Sequence, residues 1–168
     1  MADRNRAEQA PHGRPPGSPA YLSGLLLRGR DVLVVGAGNG AAHRLGRLLE
    51  VGARIRVVAP EACAAVEALA AEGRIAGRRR RFVDEDLDGA WYVVAATDST
   101  EVNAAVAAGA EARHTFCVRS DEAHGGSAWT PASRNFDDVT VAVVANRDPK
   151  RSKHVLGVIQ EALGGAPE

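Results

Sequence analysis

The chain has 168 residues with a 45% apolar share, which leaves room for one ordinary core and excludes a membrane bundle or a wholly disordered chain. Twenty-one basic residues balance 21 acidic ones, so overall charge draws the chain neither to nucleic acid nor to a membrane surface. The cysteines are two, Cys63 and Cys117, too few for a disulfide framework or a zinc site, and they point to a reducing, cytoplasmic compartment and no bound metal.

Residues 1 to about 19 carry Pro11, Pro15, Pro16 and Pro19 among few apolar side chains and are expected to form a disordered tail, followed by one domain over residues 20–168. No apolar run reaches membrane length, and no apolar signal core stands near Met1. The basic residues are nearly all arginine, with Lys150 and Lys153 the only lysines, a choice that suits recognition of carboxylate or phosphate.

Asp31 to Val35 predicts a buried strand, which breaks into Gly36-Ala37-Gly38-Asn39-Gly40-Ala41 and then into a helix from Asn39 to about Val51. In this G-x-G-x-x-A pattern Gly36 and Gly38 let the main chain turn tightly and approach a pyrophosphate, and Ala41 lets helix and strand pack closely. The amides opening the helix would face the phosphates. A glycine turn that merely joins strand to helix is the other reading. Arg54 to Ala59 predicts a second strand closed by Pro60; the usual ribose-binding carboxylate at its end is missing, Glu61 just after it either substitutes or opens the next helix, and no arginine follows for a 2′-phosphate, which favours NAD over NADP.

Glu61 to Glu72 predicts a helix, and Arg74 to Val83 a strand marked by Arg78-Arg79-Arg80-Arg81, a run that either grips a polyanion or guards a sheet edge. Trp91 to Thr97 reads as a strand buried on both faces, Asp98 as the cap of a helix over Val102 to Arg113, and His114 to Val118 as a fifth strand. Ser127 to Ala132 and Val139 to Val144 predict two strands joined by a turn at Ser133-Arg134-Asn135, forming a hairpin or reaching to a partner subunit. A last helix runs from about Pro149 to Leu163 and stops at Gly164-Gly165. The alternation argues an α/β, Rossmann-like, doubly wound and mostly parallel sheet with a C-terminal two-strand and helix extension.

Ligands of such sheets bind beyond the carboxyl ends of the strands, which singles out Asn39, Pro60, Asp98, Asp121 and His124. Asp121 could act on a ligand in the cleft or only shape its loop, and His124 could move a proton or merely be solvated. No G-x-S-x-G, P-loop or metal-ligand cluster is present.

From Tyr21 to Leu163 the chain resembles the N-terminal dehydrogenase and ferrochelatase module of siroheme synthase, a family that includes free-standing precorrin-2 dehydrogenase. The resemblance rests on Leu33-Val34-Val35-Gly36-x-Gly38-Asn39, Val51-Gly52-Ala53, Val58-Ala59-Pro60, Ala95-Ala96-Thr97-Asp98 with Asn103, Phe116-Cys117 four residues before Asp121, and Pro131. It implies an enzyme that oxidises the tetrapyrrole precorrin-2 to sirohydrochlorin with NAD, and Fe2+ insertion as a second activity. It places Gly36, Gly38, Asn39, Gly40, Pro60, Glu61 and Thr97 around the dinucleotide and makes Asp121 the catalytic residue, an acceptor of protons whose pKa the site must raise unless positioning suffices. It also gives the arginine-rich strand a purpose, since the substrate carries many carboxylates. The chain departs from the family pattern at Val118, where asparagine is usual, in the charged loop 145–153, which replaces a serine-rich one, and in stopping before the family's helical dimerisation segment, although a homodimer remains in keeping with it. A non-catalytic NAD- or tetrapyrrole-binding module, and an NAD-linked oxidoreductase acting on a smaller molecule, are the alternatives.

Overall fold

The computed structural model describes residues 20–146 and 148–164, so the expected tail and Gly165 lie outside the described residues. Residues 22–130 form one compact unit and residues 131–164 belong to a second.

The first unit is built on β1 (Asp31–Val35), four of whose residues, Val32 to Val35, are at most 2% exposed. Burying each such side chain contributes about 2 kcal/mol, which makes this strand the axis of the sheet. It pairs in parallel with β2 (Arg54–Ala59) on one side and β4 (Tyr92–Ala95) on the other, while β3 (Ala76–Arg79) and β5 (Phe116–Arg119) form the edges. The resulting order, β3-β2-β1-β4-β5, is that of a doubly wound nucleotide-binding sheet. Alternation within β1 divides the core in two. Val32 and Val34 pack toward α1 (Asn39–Glu50) and α2 (Ala64–Ala71), meeting Ala41, Leu45 and Val66. Leu33 and Val35 face the other side, with Val106 and Ala110 of α3 (Thr100–Ala112) and with Leu87. Strands buried on both faces are why the sequence reads as unbroken apolar runs.

Boundaries differ from expectation in several places. The third strand, expected over Arg74 to Val83, is only four residues, Ala76–Arg79, and a 3-10 turn, Asp84–Leu87, follows it. Three of the four arginines of the run 78–81 are held by acids of the same unit. Asp86, with a side chain 1% exposed, accepts from Arg80 at 2.7 and 2.5 Å, from Arg78 at 3.3 Å and from the Val83 amide at 3.1 Å. Arg79 pairs with Glu67. Helix α3 is capped by Ser99, whose Oγ accepts from the Val102 amide at 3.2 Å, and not by Asp98.

In the second unit, β6 (Ala132–Phe136) and β7 (Val139–Val143) pair antiparallel and carry α4 (Pro149–Ala162). The expected hairpin is present, but its turn is Asp137-Asp138 instead of Ser133-Arg134-Asn135, which lies inside β6, and residues 127–131 are not strand. Asp137 sits at φ 50°, a left-handed conformation that a short polar side chain tolerates. Most of the charged segment 145–153 proves to be the start of α4. Asp148 accepts from the Arg151 amide at 2.9 Å, Pro149 opens the helix, and Ser152 Oγ both donates to the Asp148 carbonyl and accepts from the Ala145 amide, each at 3.0 Å.

Two consequences can be measured. Gly36 has φ +104°, and a Cβ there would stand 2.3 Å from the Ala96 carbonyl oxygen, so Gly36→Ala should lower unfolding free energy by about 3 kcal/mol in urea denaturation. The arginine beside Asp86 holds its carboxyl below the usual value, so the stability it contributes is complete above the unfolded-state pKa of about 3.9 and is lost as pH falls through the lower folded value. Because Arg80 and Arg78 are 40% and 50% exposed, water discounts the pairs, and Asp86→Asn should cost about 2 kcal/mol at pH 7, a difference that closes in acid.

Candidate functional site

The loops that leave the carboxyl ends of β2, β1, β4 and β5 lie side by side, because the parallel ladder continues into them. The Gly36 amide donates to the Val58 carbonyl at 2.9 Å, the Ala96 amide to Val35 at 2.8 Å and the Ser120 amide to Ala95 at 2.9 Å. The Cys63 amide donates to Ala37 at 2.9 Å and ties the Pro60-Glu61 turn to the glycine turn. Three strand spacings separate the first loop from the last, about 14 Å. This edge suits an extended ligand.

Of the sequence-singled residues, Gly36 is buried and touches the β4 loop, whereas Gly38, Asn39 and Gly40 are exposed. A Cβ at Gly38 or at Gly40 would meet no protein atom within 4 Å. These two glycines therefore leave open space directly in front of the helix. Gly38 is the N-cap of α1, no side chain caps it, and no acid stands in the first turn. The amides and the positive end of the dipole are left for an anion, as a pyrophosphate requires. Beside the turn an apolar cavity of about 290 Å³ opens between β2, β3 and α2, lined by Ala37, Ala59, Ala62, Val66 and Ile75 among others. These features together fit a dinucleotide. A larger depression of about 430 Å³ lies at the opposite end of the sheet around Trp91 and Arg113, where Asp84 and Asp88 pair with the arginine.

Pro60 and Glu61 are exposed at the end of β2. Thr97 is turned inward. Asn103, 0% exposed, accepts from the Thr97 amide at 3.0 Å, lies 2.8 Å from the Thr97 hydroxyl and donates to the Thr97 carbonyl at 3.0 Å. Thr97 thus shapes its loop through a buried amide lock, and what it offers outward is backbone.

Asp121 follows β5, and its side chain is 23% exposed. It is gripped by a residue that the sequence reading missed. Arg119 Nε donates to Asp121 Oδ1 at 3.1 Å and Nη2 to Oδ2 at 2.7 Å, a two-point fork from a guanidinium only 6% exposed. That hydrogen-bonded arginine moves the Asp121 pKa below the ordinary value, the reverse of the upward shift a proton-accepting role would ask for. The available signal was spacing, since residues two apart at a strand end share a face. Burial pushes the Cys117 thiol up to about 11, so it stays neutral and inert. His124 is exposed in the 3-10 turn Ala123–Gly125, and among the described residues no three histidine, cysteine or acidic side chains gather for a metal.

A family model described as putative NAD(P)-binding matches residues 25–132. The siroheme synthase of Chromobacterium violaceum is 39% identical over 121 residues, covering 72% of this chain and 26% of that protein. Siroheme synthase 1 of Yersinia enterocolitica is 44% identical over 117 residues, 70% of this chain and 25% of that protein. The precorrin-2 dehydrogenase of Priestia megaterium is 40% identical over 83 residues, 49% of this chain and 41% of that protein. The solved structure of SirC, a precorrin-2 dehydrogenase, superposes with a TM-score of 0.75 at 27% identity, covering 85% of this chain and 71% of that one. The chain thus spans about a quarter of the length of the siroheme synthases it matches. On the glycine turn, the sheet order and these likenesses together, the chain belongs to the putative NAD(P)-binding family, in the group formed by the N-terminal module of siroheme synthase and precorrin-2 dehydrogenase.

Proposed function

We propose that the chain oxidises precorrin-2 to sirohydrochlorin with NAD+ as the hydride acceptor. The observation that carries this reading is the open space at Gly38 and Gly40 before an uncapped helix, on the same edge as Asp121. Amides at the start of α1 hold the pyrophosphate, and the cavity beside Ala37 and Ala59 takes an apolar part of the dinucleotide. Pro60 and Glu61 border it, and the Thr97 backbone, fixed by Asn103, flanks the reacting end. Bound NAD+ supplies a two-electron acceptor; the protein supplies position and charge. Asp121 stands two strands from the glycine turn and meets the tetrapyrrole. Fe2+ insertion into sirohydrochlorin, a homodimeric state and a cytosolic location belong to the same proposal. No helix among the described residues is long and apolar enough to cross a membrane.

A second reading is a module that binds NAD or a tetrapyrrole without turnover. The fork on Asp121 favours it if the reaction requires Asp121 to take up the substrate proton, because a carboxylate so held is a poor proton acceptor.

Anaerobic incubation with enzymatically generated precorrin-2 and NAD+, followed by NADH and sirohydrochlorin absorbance, separates the two. Turnover is expected in the wild type, and Asp121→Asn, nearly isosteric, should lower kcat by about 100-fold or more with NAD+ affinity kept. Binding of NAD+ without product would sink the enzyme reading. Gly38→Ala tests the cradle independently: its methyl meets no protein atom within 4 Å, so stability should fall by less than about 1 kcal/mol while NAD+ affinity, read by calorimetry, falls about tenfold or more.

A further inference from the structure

Arg119 is a charged residue that the fold has gone to some length to bury. It ends β5 in register with Ala95, one of the most deeply buried strand positions, and its side chain is 6% exposed. The loop that follows closes over it through glycines: a Cβ at Gly125 would stand 2.3 Å from its Nη1, and one at Gly126 would stand 2.6 Å from the Cys117 carbonyl oxygen. Ser127 Oγ accepts from the Cys117 amide at 3.0 Å and holds the returning chain. A buried guanidinium needs an anion, and the one it faces with both prongs is Asp121, with Glu122 at 3.7 Å as a looser partner. A fork of this kind fixes the plane of a carboxylate as well as its location.

The chemistry of the reaction gives that fixed charge a task; this inference rests on the dehydrogenase reading above. A C–H bond of the substrate breaks with both electrons, the hydride forms a new C–H bond on the nicotinamide, and the tetrapyrrole is left with one positive charge until a proton departs. We propose that Arg119 is a positioning residue, holding the Asp121 carboxylate in place as the counter-charge to the cation that develops on the substrate, while the proton is released to solvent water and not to Asp121. A preorganised charge aimed at where charge develops lowers the barrier without moving during the step.

The groups that bear on the titration of Asp121 are few. Arg119 lowers its pKa most, partial burial opposes it, and the amides of Asp121 and Glu122 act with the arginine, so the net direction is downward. After Asp121 itself, Glu122 is the next acid at the guanidinium, 3.7 Å away, and Cys117 on the same strand is a neutral thiol.

The test is a carbon-13 NMR titration of the Asp121 carboxyl beside the pH profile of kcat/KM, in wild type, Arg119→Gln and Arg119→Lys. In the wild type the carboxyl should titrate below the ordinary aspartate value of about 3.9, and the acid limb of kcat/KM should coincide with it. In Arg119→Gln both should move up to about 3.9 or above, kcat should fall about tenfold at neutral pH, and KM for NAD+ should be unchanged. Arg119→Lys, which keeps charge without the fork, should return the limb toward the wild type but not kcat. A wild-type Asp121 that titrates at or above about 3.9 overturns the assignment even if Arg119→Gln fails to fold. So does a variant whose rate falls equally at every pH. Wild-type protein that titrates as expected yet forms no sirohydrochlorin overturns the dehydrogenase reading, and the catalytic task with it, but leaves the Arg119 grip standing.

Discussion

At position 36 the first strand must turn within reach of the fourth strand's outgoing chain, where a single Cβ would come within 2.3 Å of the Ala96 carbonyl oxygen. Only a residue without that atom lets β1 and β4 stay paired to their last residues and still part into separate loops. The rest of the site depends on this approach. Because Gly36 lies so close, Ala96 and Thr97 cannot relax inward, and Asn103 takes up both the amide and the carbonyl of Thr97 from the first turns of α3. Ser99 then caps the same helix. The loop that borders the glycine turn is thus set by packing on one side and a buried amide on the other, before any ligand arrives.

Several arginines of the sheet and its loops are held by acids of the fold. Arg54 pairs with Asp31, Arg78 and Arg80 with Asp86, Arg79 with Glu67, and Arg113 with Asp84 and Asp88. The arginine run 78–81, which could have gripped the carboxylates of a substrate, thereby commits three of its four guanidinium groups to the fold. Surface pairs of this kind add little stability each. Their effect is to fix the edge strand and the turn after it, where a buried carboxylate replaces the apolar contacts that a four-residue strand exposed along its length cannot make.

How far the sequence could be read follows from which forces act locally. The runs at Val32 to Val35 and at Tyr92 to Ala95 declare buried parallel strands, since burial on both faces removes alternation, and the glycines that follow declare the turn. The hairpin was legible in existence but not in register: Ser133, Arg134 and Asn135 look like turn residues by composition, yet they form strand because Asp137 can take the left-handed conformation two residues before Val139. Ser99 and Asp98 are both good caps, and only the direction in which the chain leaves β4 decides between them. Among the candidate residues, the glycines announce open space because their role is the lack of a side chain. Thr97 does not announce that it faces Asn103, and Asp121 does not announce its arginine, because in each case the partner is chosen by tertiary contact.

Charge is placed unevenly along the carboxyl edge of the sheet. At the β1 loop an uncapped helix presents a positive dipole end, and at the β5 loop, two strands and about 10 Å away, Asp121 presents a negative charge that its arginine keeps ionised. A dinucleotide satisfies the first with its phosphates and would bring its reacting ring toward the second. The polarity of the edge would therefore set the direction in which a bound dinucleotide lies. Under the proposed dehydrogenase activity, a substrate that becomes positive as it is oxidised would be drawn to the end where the carboxylate stands, so orientation of cofactor and substrate would both follow from two fixed charges that the strand order holds apart.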